Sequence, residues 1–306
     1  MKQVAYIIIA MLLPLNLLGQ GPFKFKGQLS GVVSYSPNND LDWFFGRRYI
    51  PEISYKAQLD SIHKLDFNMA FNLDYSSSLH PFSDLESETD SNTDIYRAWA
   101  RYSGENYEIR LGLQKIDFGS ASILRPLRWF DQVDPRDPLG LTPGVWGLLG
   151  RYYFLNNANI WLWGLYGNEN PKGWEVIDTY ETIPEFGGRF QHPVPRGELA
   201  LSYHHRVADS RNLGVDSLAI DKIPENRIGI DGKWDVGVGL WFEASQSIKQ
   251  KKIGPFTNQT IATVGMDYTF GIGSGLNVVG EHMMAASYEG SPDFSDAQHI
   301  TAATAS

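Results

Sequence analysis

Apolar and polar residues alternate with a period of two along most of this chain, in runs separated by turn-forming residues. In residues 107–114, Tyr107, Ile109, Leu111 and Leu113 alternate with Glu108, Arg110, Gly112 and Gln114, the signature of a strand with one apolar and one polar face. A long loop rich in Pro, Asp and Arg leads to a returning run. There Trp146, Leu148, Gly150, Tyr152 and Phe154 share one face, Arg151 takes the other, and Asn156-Asn157 turns the chain again.

The pattern begins at Phe23, where Phe23, Phe25, Leu29, Val33 and Tyr35 alternate with Lys24, Lys26, Gln28, Ser30 and Ser34. Further runs follow at 49–59, 65–75, 95–102, 187–192, 198–206, 227–234, 240–245 and 262–270. Two more, at 158–167 and 276–284, are strands of uncertain phase; in the first, Trp161 and Trp163 occupy the face that Asn159 makes polar. The clearest runs have the ~9–11 residues that a tilted membrane-spanning strand needs. Alternation alone does not choose a fold: a soluble sandwich turns the apolar face inward, whereas a transmembrane barrel turns it to lipid.

The connections decide. They alternate between long (38–47, 76–94, 119–144, 168–184, 208–226, a medium one at 249–257 and a long one after 287) and short (near 61, 104, 156, 195, 236 and 273). Tight turns on one rim and long loops on the other is outer-membrane barrel construction, and a sandwich or propeller has no reason to keep that order. The expected fold is an all-β, transmembrane antiparallel up-and-down β-barrel of about 14 or more strands. Thirteen strands leave the chain on the long-loop side, and residues 298–306 look like the start of a returning strand. Residues 21–306 therefore read as a barrel incomplete at its C-terminus.

At the other end, Lys2 precedes an apolar run from Val4 to Leu13 and a second from Leu15 to Leu18, ending near Gly19-Gln20-Gly21. This is short of the ~20 residues of a spanning helix, so residues 1–20 read as a signal peptide, with an uncleaved anchor as the alternative. No other stretch is apolar for the length of a membrane helix, which excludes a polytopic helical protein. The absence of cysteine removes disulfides, thiol catalysis and zinc-thiolate sites. A net charge of -9 argues against a nucleic-acid partner. The mean hydropathy of -0.27 is compatible with a barrel, because only alternate strand residues face lipid.

The segment Arg110-x-Gly112-x-Gln114-x4-Gly119, rising into a loop with Trp129-Phe130-Asp131, resembles the strand-and-loop signature of alginate-export-type and related porin families of Gram-negative outer membranes. The leader ending in Leu-Leu-Gly-Gln20 is similar to those of Bacteroidota. The resemblance covers about a sixth of the chain. It implies a passive channel whose inward-folded loops and charged walls choose the solute, with outer-membrane lipid and lipopolysaccharide as surroundings and no cofactor. The oligomeric state, monomer or homo-oligomer, is left open.

If the polar faces point inward, Arg97, Arg101, Arg110 and Arg151 form a basic wall together with Gln114, and Arg189, Arg206 and Arg227 form a second group. Arginine rings select anions, and guanidinium suits carboxylate or phosphate; alternatively these arginines brace the lumen by pairing with Asp66, Asp74, Glu108, Glu198 and Asp231. The loop bearing Arg125, Arg128, Trp129, Asp131, Asp134, Arg136 and Asp137 is apolar enough to fold into the barrel as a constriction, or else caps it outside. Its three aspartates could hold calcium, but its arginines favour loop salt bridges. The acidic run from Asp84 to Asp94 reads as a solvated loop. Tyr35, Tyr75, Tyr102, Tyr107, Tyr152 and Phe154 lie near strand ends, where interfacial girdles form. Ser202 and His204 share a strand face and invite a lipid-hydrolase reading, but no G-x-S-x-G, HExxH or glycine-rich phosphate loop accompanies them. The function expected is therefore a non-enzymatic outer-membrane channel for small polar or anionic solutes. A non-conducting adhesion or structural barrel is the main alternative.

Overall fold

The computed structural model describes residues 11–17, 21–35, 43–79, 87–131, 141–215 and 218–306. Its strands are β1 (Met11–Leu17), β2 (Phe23–Tyr35), β3 (Trp43–Gln58), β4 (Lys64–Leu79), β5 (Ser87–Ser103), β6 (Tyr107–Gln114), β7 (Val145–Tyr153) and β8 (Asn159–Leu165). These are followed by β9 (Asp178–Thr179), β10 (Glu185–Val194), β11 (Gly197–Asp209), β12 (Ile223–Asp235), β13 (Gly239–Lys249), β14 (Asn258–Phe270), β15 (Leu276–Tyr288) and β16 (Gln298–Ala305). Among the described residues the only helical element is one 3-10 turn, Arg211–Leu213, and no helix is long and apolar enough to cross a membrane.

The chain groups into two compact units, one of residues 1–105, 112–114 and 133–144, the other of residues 106–111, 115–132 and 145–306. In the first, β1 to β5 pair antiparallel, each with the next in sequence. In the second, β7, β8 and β10 to β16 do the same, and β9 lies beside the end of β11. This is an antiparallel up-and-down sheet in which every strand expected from residue 23 onward is present. Among the described residues β1 and β16 each have a strand partner on one edge only.

Residues 11–17, within the stretch read from sequence as a leader, pair with β2, with Met11 opposite Gly31 and Leu17 opposite Phe25. One expectation changes. The acidic segment is only partly a loop: β4 runs on to Leu79 and β5 starts at Ser87, placing Ser76 opposite Asp90 and Asp74 opposite Asn92. Residues 88–94 are exposed, as expected, but on a strand. Hydrophobic periodicity cannot detect such a stretch, because a backbone ladder in water needs no apolar face. Residues 80–86, Asp84 among them, lie outside the described residues.

The faces settle which side is greasy. On β11 Leu201 is 57% exposed and Ser202 1%; on β12 Ile228 is 48% exposed and Arg227 3%; on β14 Val264 is 59% exposed and Thr263 1%. In the first unit, Phe67 and Met69 are exposed while Asp66 is buried. A water-soluble sheet buries the first kind of residue and exposes the second, so this sheet is inside-out in the sense a bilayer demands. On β8 the phase is now fixed: Leu162 points out, and Trp163 and Leu165 are buried. They face inward because an apolar cluster of Ile116, Phe118, Leu127, Trp129 and Phe130 lies against them.

Candidate functional site in the inner loops

Residues 115–131, in the second unit, have no regular secondary structure yet are largely buried. Buried backbone N–H groups need acceptors, and here two strand carboxylates supply them. Glu243 of β13 accepts from Ala121 N at 2.9 Å and Leu127 N at 2.5 Å. Glu281 of β15 accepts from Ser122 N at 2.6 Å, Ile123 N at 3.0 Å and Leu124 N, and also from Trp241 Nε1 at 2.9 Å. Ser120 Oγ donates to Asp231 of β12 at 2.9 Å, and Trp129 Nε1 donates to Ser245 Oγ of β13 at 2.9 Å. The loop is thus fastened to the polar face of three strands by groups that a loop in water would not need.

The glycines of the motif around β6 have local reasons. Gly112 has φ +116°, and a Cβ there would lie 2.2 Å from Ala98 O. Gly119 has φ +113°, and a Cβ would lie 2.3 Å from Glu243 Oε2. Both are left-handed positions that favour glycine, and the second lets the loop backbone close on its carboxylate anchor.

Apolar packing completes the seat. Phe118 stacks on Trp163 with ring centroids 5.5 Å apart and meets Trp129 edge-on at 5.6 Å. Phe130 meets Trp163 at 5.4 Å and His204 at 5.1 Å. Within the loop, Arg125 donates to Asp117 at 2.6 Å, and Lys115 stands 3.0 Å from Asp117 and 3.6 Å from Asp131. Burial pushes the Asp117 carboxyl up, but Arg125 and Lys115 outweigh it and hold it below the ordinary range. Arg128 is different: half-buried, it makes no ion pair among the described residues, and burial together with the neighbouring Arg125 pushes its guanidinium down.

A second loop, residues 168–179, also turns inward and packs over the first, with Trp174 Nε1 donating to Arg125 O at 2.8 Å. It carries Glu175, nearly inaccessible, into the space between Arg206 NH1 at 2.9 Å and Arg227 NH2 at 2.7 Å. Glu225 binds the same two arginines, at 2.9 Å and 2.6 Å. Lys172 stands 3.6 Å from Glu185, which lies 3.1 Å from His204 Nε2. Burial drives the Glu175 carboxyl up, but Arg206, Lys172 and Arg227 outweigh it and keep it below the ordinary range.

The arginines singled out in the sequence are placed as follows. Arg101 pairs with Asp66 at 2.5 Å, and Arg97 donates to Thr142 O at 2.9 Å, both in the first unit, where Gln114 is buried. Arg151 and Arg110 share Glu108, at 2.9 Å and 3.7 Å, and Arg151 lies 3.7 Å over the Trp161 ring. Arg189 grips Asp231 with two bonds, at 2.5 Å and 2.9 Å. Arg206 and Arg227 are brought together, and Arg189 binds apart from them. Asp66, Glu108 and Asp231 are the bracing partners read from sequence; Glu175, Glu185, Glu225, Glu243 and Glu281 were not singled out. The last three sit at inward positions of their strands, which was a usable signal. Nothing in the sequence marks the loop position of Glu175. Asp134, Arg136 and Asp137 lie outside the described residues.

Ser202 and His204 are both buried but separately engaged. Ser202 Oγ accepts from Arg189 at 3.1 Å, while His204 Nδ1 accepts from Trp163 Nε1 at 3.1 Å.

No family model matches the chain, and no curated protein matches it. Solved structures do. OmpF of Salmonella typhi, in complex with daunomycin, aligns over 90% of this chain and 85% of its own at TM-score 0.53 and 9% identity. OprB of Pseudomonas putida, in a high-pH structure, covers 91% and 76% at TM-score 0.48 and 12% identity. OmpT of Vibrio cholerae, an outer membrane protein in trimer form, covers 92% and 98% at TM-score 0.40 and 12% identity. The likeness to OmpF is one of fold: the antiparallel up-and-down sheet of bacterial outer-membrane barrels.

Proposed function

We propose that this chain is an outer-membrane channel through which small polar or anionic solutes diffuse, with residues 115–131 as its constriction. The observation that carries this reading is the inverted sheet, greasy outside and polar inside, with a loop fastened to the polar side by Glu243 and Glu281. An exposed apolar face of this extent fits a bilayer, and outer-membrane lipid and lipopolysaccharide are its surroundings. Residues 1–20 are a leader removed on export, which frees the edge of β2 that β1 otherwise covers.

In this reading most arginines of the polar face brace the wall through carboxylates, and Arg128, without an ion pair among the described residues, is the cation that meets the solute. The resemblance to alginate-export-type porins supports a passive channel whose inward-folded loops and charged walls choose the solute. In this reading the protein acts without cofactor or catalysis, and Ser202 and His204 are each held by another partner.

A second reading, a non-conducting barrel, draws on the two inner loops that bury Arg206, Glu225 and Glu243. Planar-bilayer recording separates them. The channel gives discrete current steps with anion over cation selectivity, and Arg128→Gln lowers that selectivity. Absence of steps from folded protein removes the channel reading.

A further inference from the structure

The ion network around Glu175 does not balance. Four basic side chains, Lys172, Arg206, Arg227 and Lys249, meet three carboxylates, Glu175, Glu185 and Glu225. The one remaining member is His204, on Glu185. With that imidazole neutral the cluster carries one surplus positive charge, and with it protonated, more. Most members are buried, the Lys249 side chain being 9% exposed, and an uncompensated charge held out of water is strongly unfavourable.

At one end of this network lies a cavity of about 30 Å³. Its polar lining consists mostly of donors. Lys249 Nζ stands 3.6 Å from Glu225 Oε2, beyond hydrogen-bond length. Ser245 Oγ already accepts from Trp129, so its proton remains to be given. The Ser247 hydroxyl and the Gln259 amide, both lining the cavity, make no hydrogen bond among the described residues. The two carboxylates that also border it, Glu175 and Glu225, are held by Arg206 and Arg227, which line it as well.

We propose that this cavity binds a chloride-sized anion, which balances the surplus charge and takes up the donors of Lys249, Ser247 and Gln259. The volume suits one monatomic ion or one or two waters. The site is a resident halide site beside the inner loops, and it stands whether or not the protein conducts.

Two experiments test it. Crystals of the purified full chain grown in bromide in place of chloride are examined for anomalous scattering. A bromide peak within reach of Lys249 Nζ is expected; only ordered water there overturns the proposal. Thermal unfolding in detergent is compared in sodium bromide, sodium chloride and sodium gluconate at equal ionic strength. A ligand that binds only the folded state stabilises it by mass action, so a tenfold rise in halide well above its dissociation constant raises the folding equilibrium about tenfold. Wild type is expected to gain stability in both halides over gluconate. Lys249→Met is expected to lose that difference, and Lys251→Met, on an exposed loop where Lys251 binds Asp221 O, to keep it. An unchanged halide difference in folded Lys249→Met overturns the assignment to this cavity. If that variant does not fold, the bromide crystal and the wild-type comparison decide.

Discussion

Glu281→Ala is the sharpest single perturbation of the inner loop, because one carboxylate holds four donors: the backbone N–H groups of Ser122, Ile123 and Leu124 and the indole of Trp241. A hydrogen bond to a charged acceptor contributes about 1.5–3 kcal/mol where water is excluded. The three backbone donors lie in partly buried surroundings where water can replace the lost acceptor, so each is worth nearer ~1 kcal/mol, while the buried indole keeps a larger share. Trp241 lies on β13 and its bond does not hold the loop, so undocking is eased by the three backbone bonds alone, about 3 kcal/mol, which multiplies the population of the undocked loop by about 150. The sheet does not depend on these bonds, because the ladder between β14 and β15 is backbone to backbone. Amide hydrogen exchange in the detergent-solubilised protein reads both. Exchange at residues 122–124 should accelerate by that order, and exchange along β14 and β15 should stay within a few-fold of wild type. Glu281→Gln, with one acceptor oxygen retained, should fall between. Exchange at residues 122–124 unchanged by Glu281→Ala, or accelerated equally along the strands, would refute the reasoning.

Other outcomes follow from the same contacts. Asp231→Ala leaves Arg189 buried without its bidentate partner and should cost about 3–5 kcal/mol in a urea titration, and adding Arg189→Met should recover most of it. Gly229→Val should dislodge the loop, since a Cβ at residue 229 would lie 2.3 Å from Leu127 Cδ2 and 3.0 Å from Trp129 Cζ2; proteolysis within residues 115–131 reports it. The Glu175 carboxyl is held below its ordinary 4.5, so its contribution is complete above that value and is lost as pH falls through the lowered one. The loop at 168–179 should therefore stay protected from exchange down through about pH 4.5 and open only in stronger acid. Glu175→Gln should open it at neutral pH.

Much of the fold was legible because lipid and water sort side chains by strand parity. Tyr107, Ile109 and Leu111 against Glu108 and Arg110 declare a two-faced strand, and Leu199, Leu201 and Tyr203 against Ser202, His204 and Arg206 repeat it. The parity failed on β8 because Trp161 and Trp163 face inward onto Phe118, so an apolar inner face arose from a contact far away in sequence. It failed again at residues 87–94, where exposed polar residues form a ladder without any apolar face. The Arg125–Trp129 region, apolar in sequence, is held to β13 through Leu127 N and Trp129 Nε1. That Glu243 and Glu281 sit at inward positions was legible; that they anchor this loop was not, since they look like any inward carboxylate until the loop's N–H groups are seen to converge on them.

The central claim is that the greasy side of each strand meets lipid and the polar side does not. The chain contains no cysteine, so single cysteines can be placed one at a time along β11, from Leu199 to Tyr203, and spin-labelled in bilayers. Oxygen accessibility by electron paramagnetic resonance should alternate, high at 199, 201 and 203 and low at 200 and 202. High values at 200 and 202, or no alternation at all, would contradict the account.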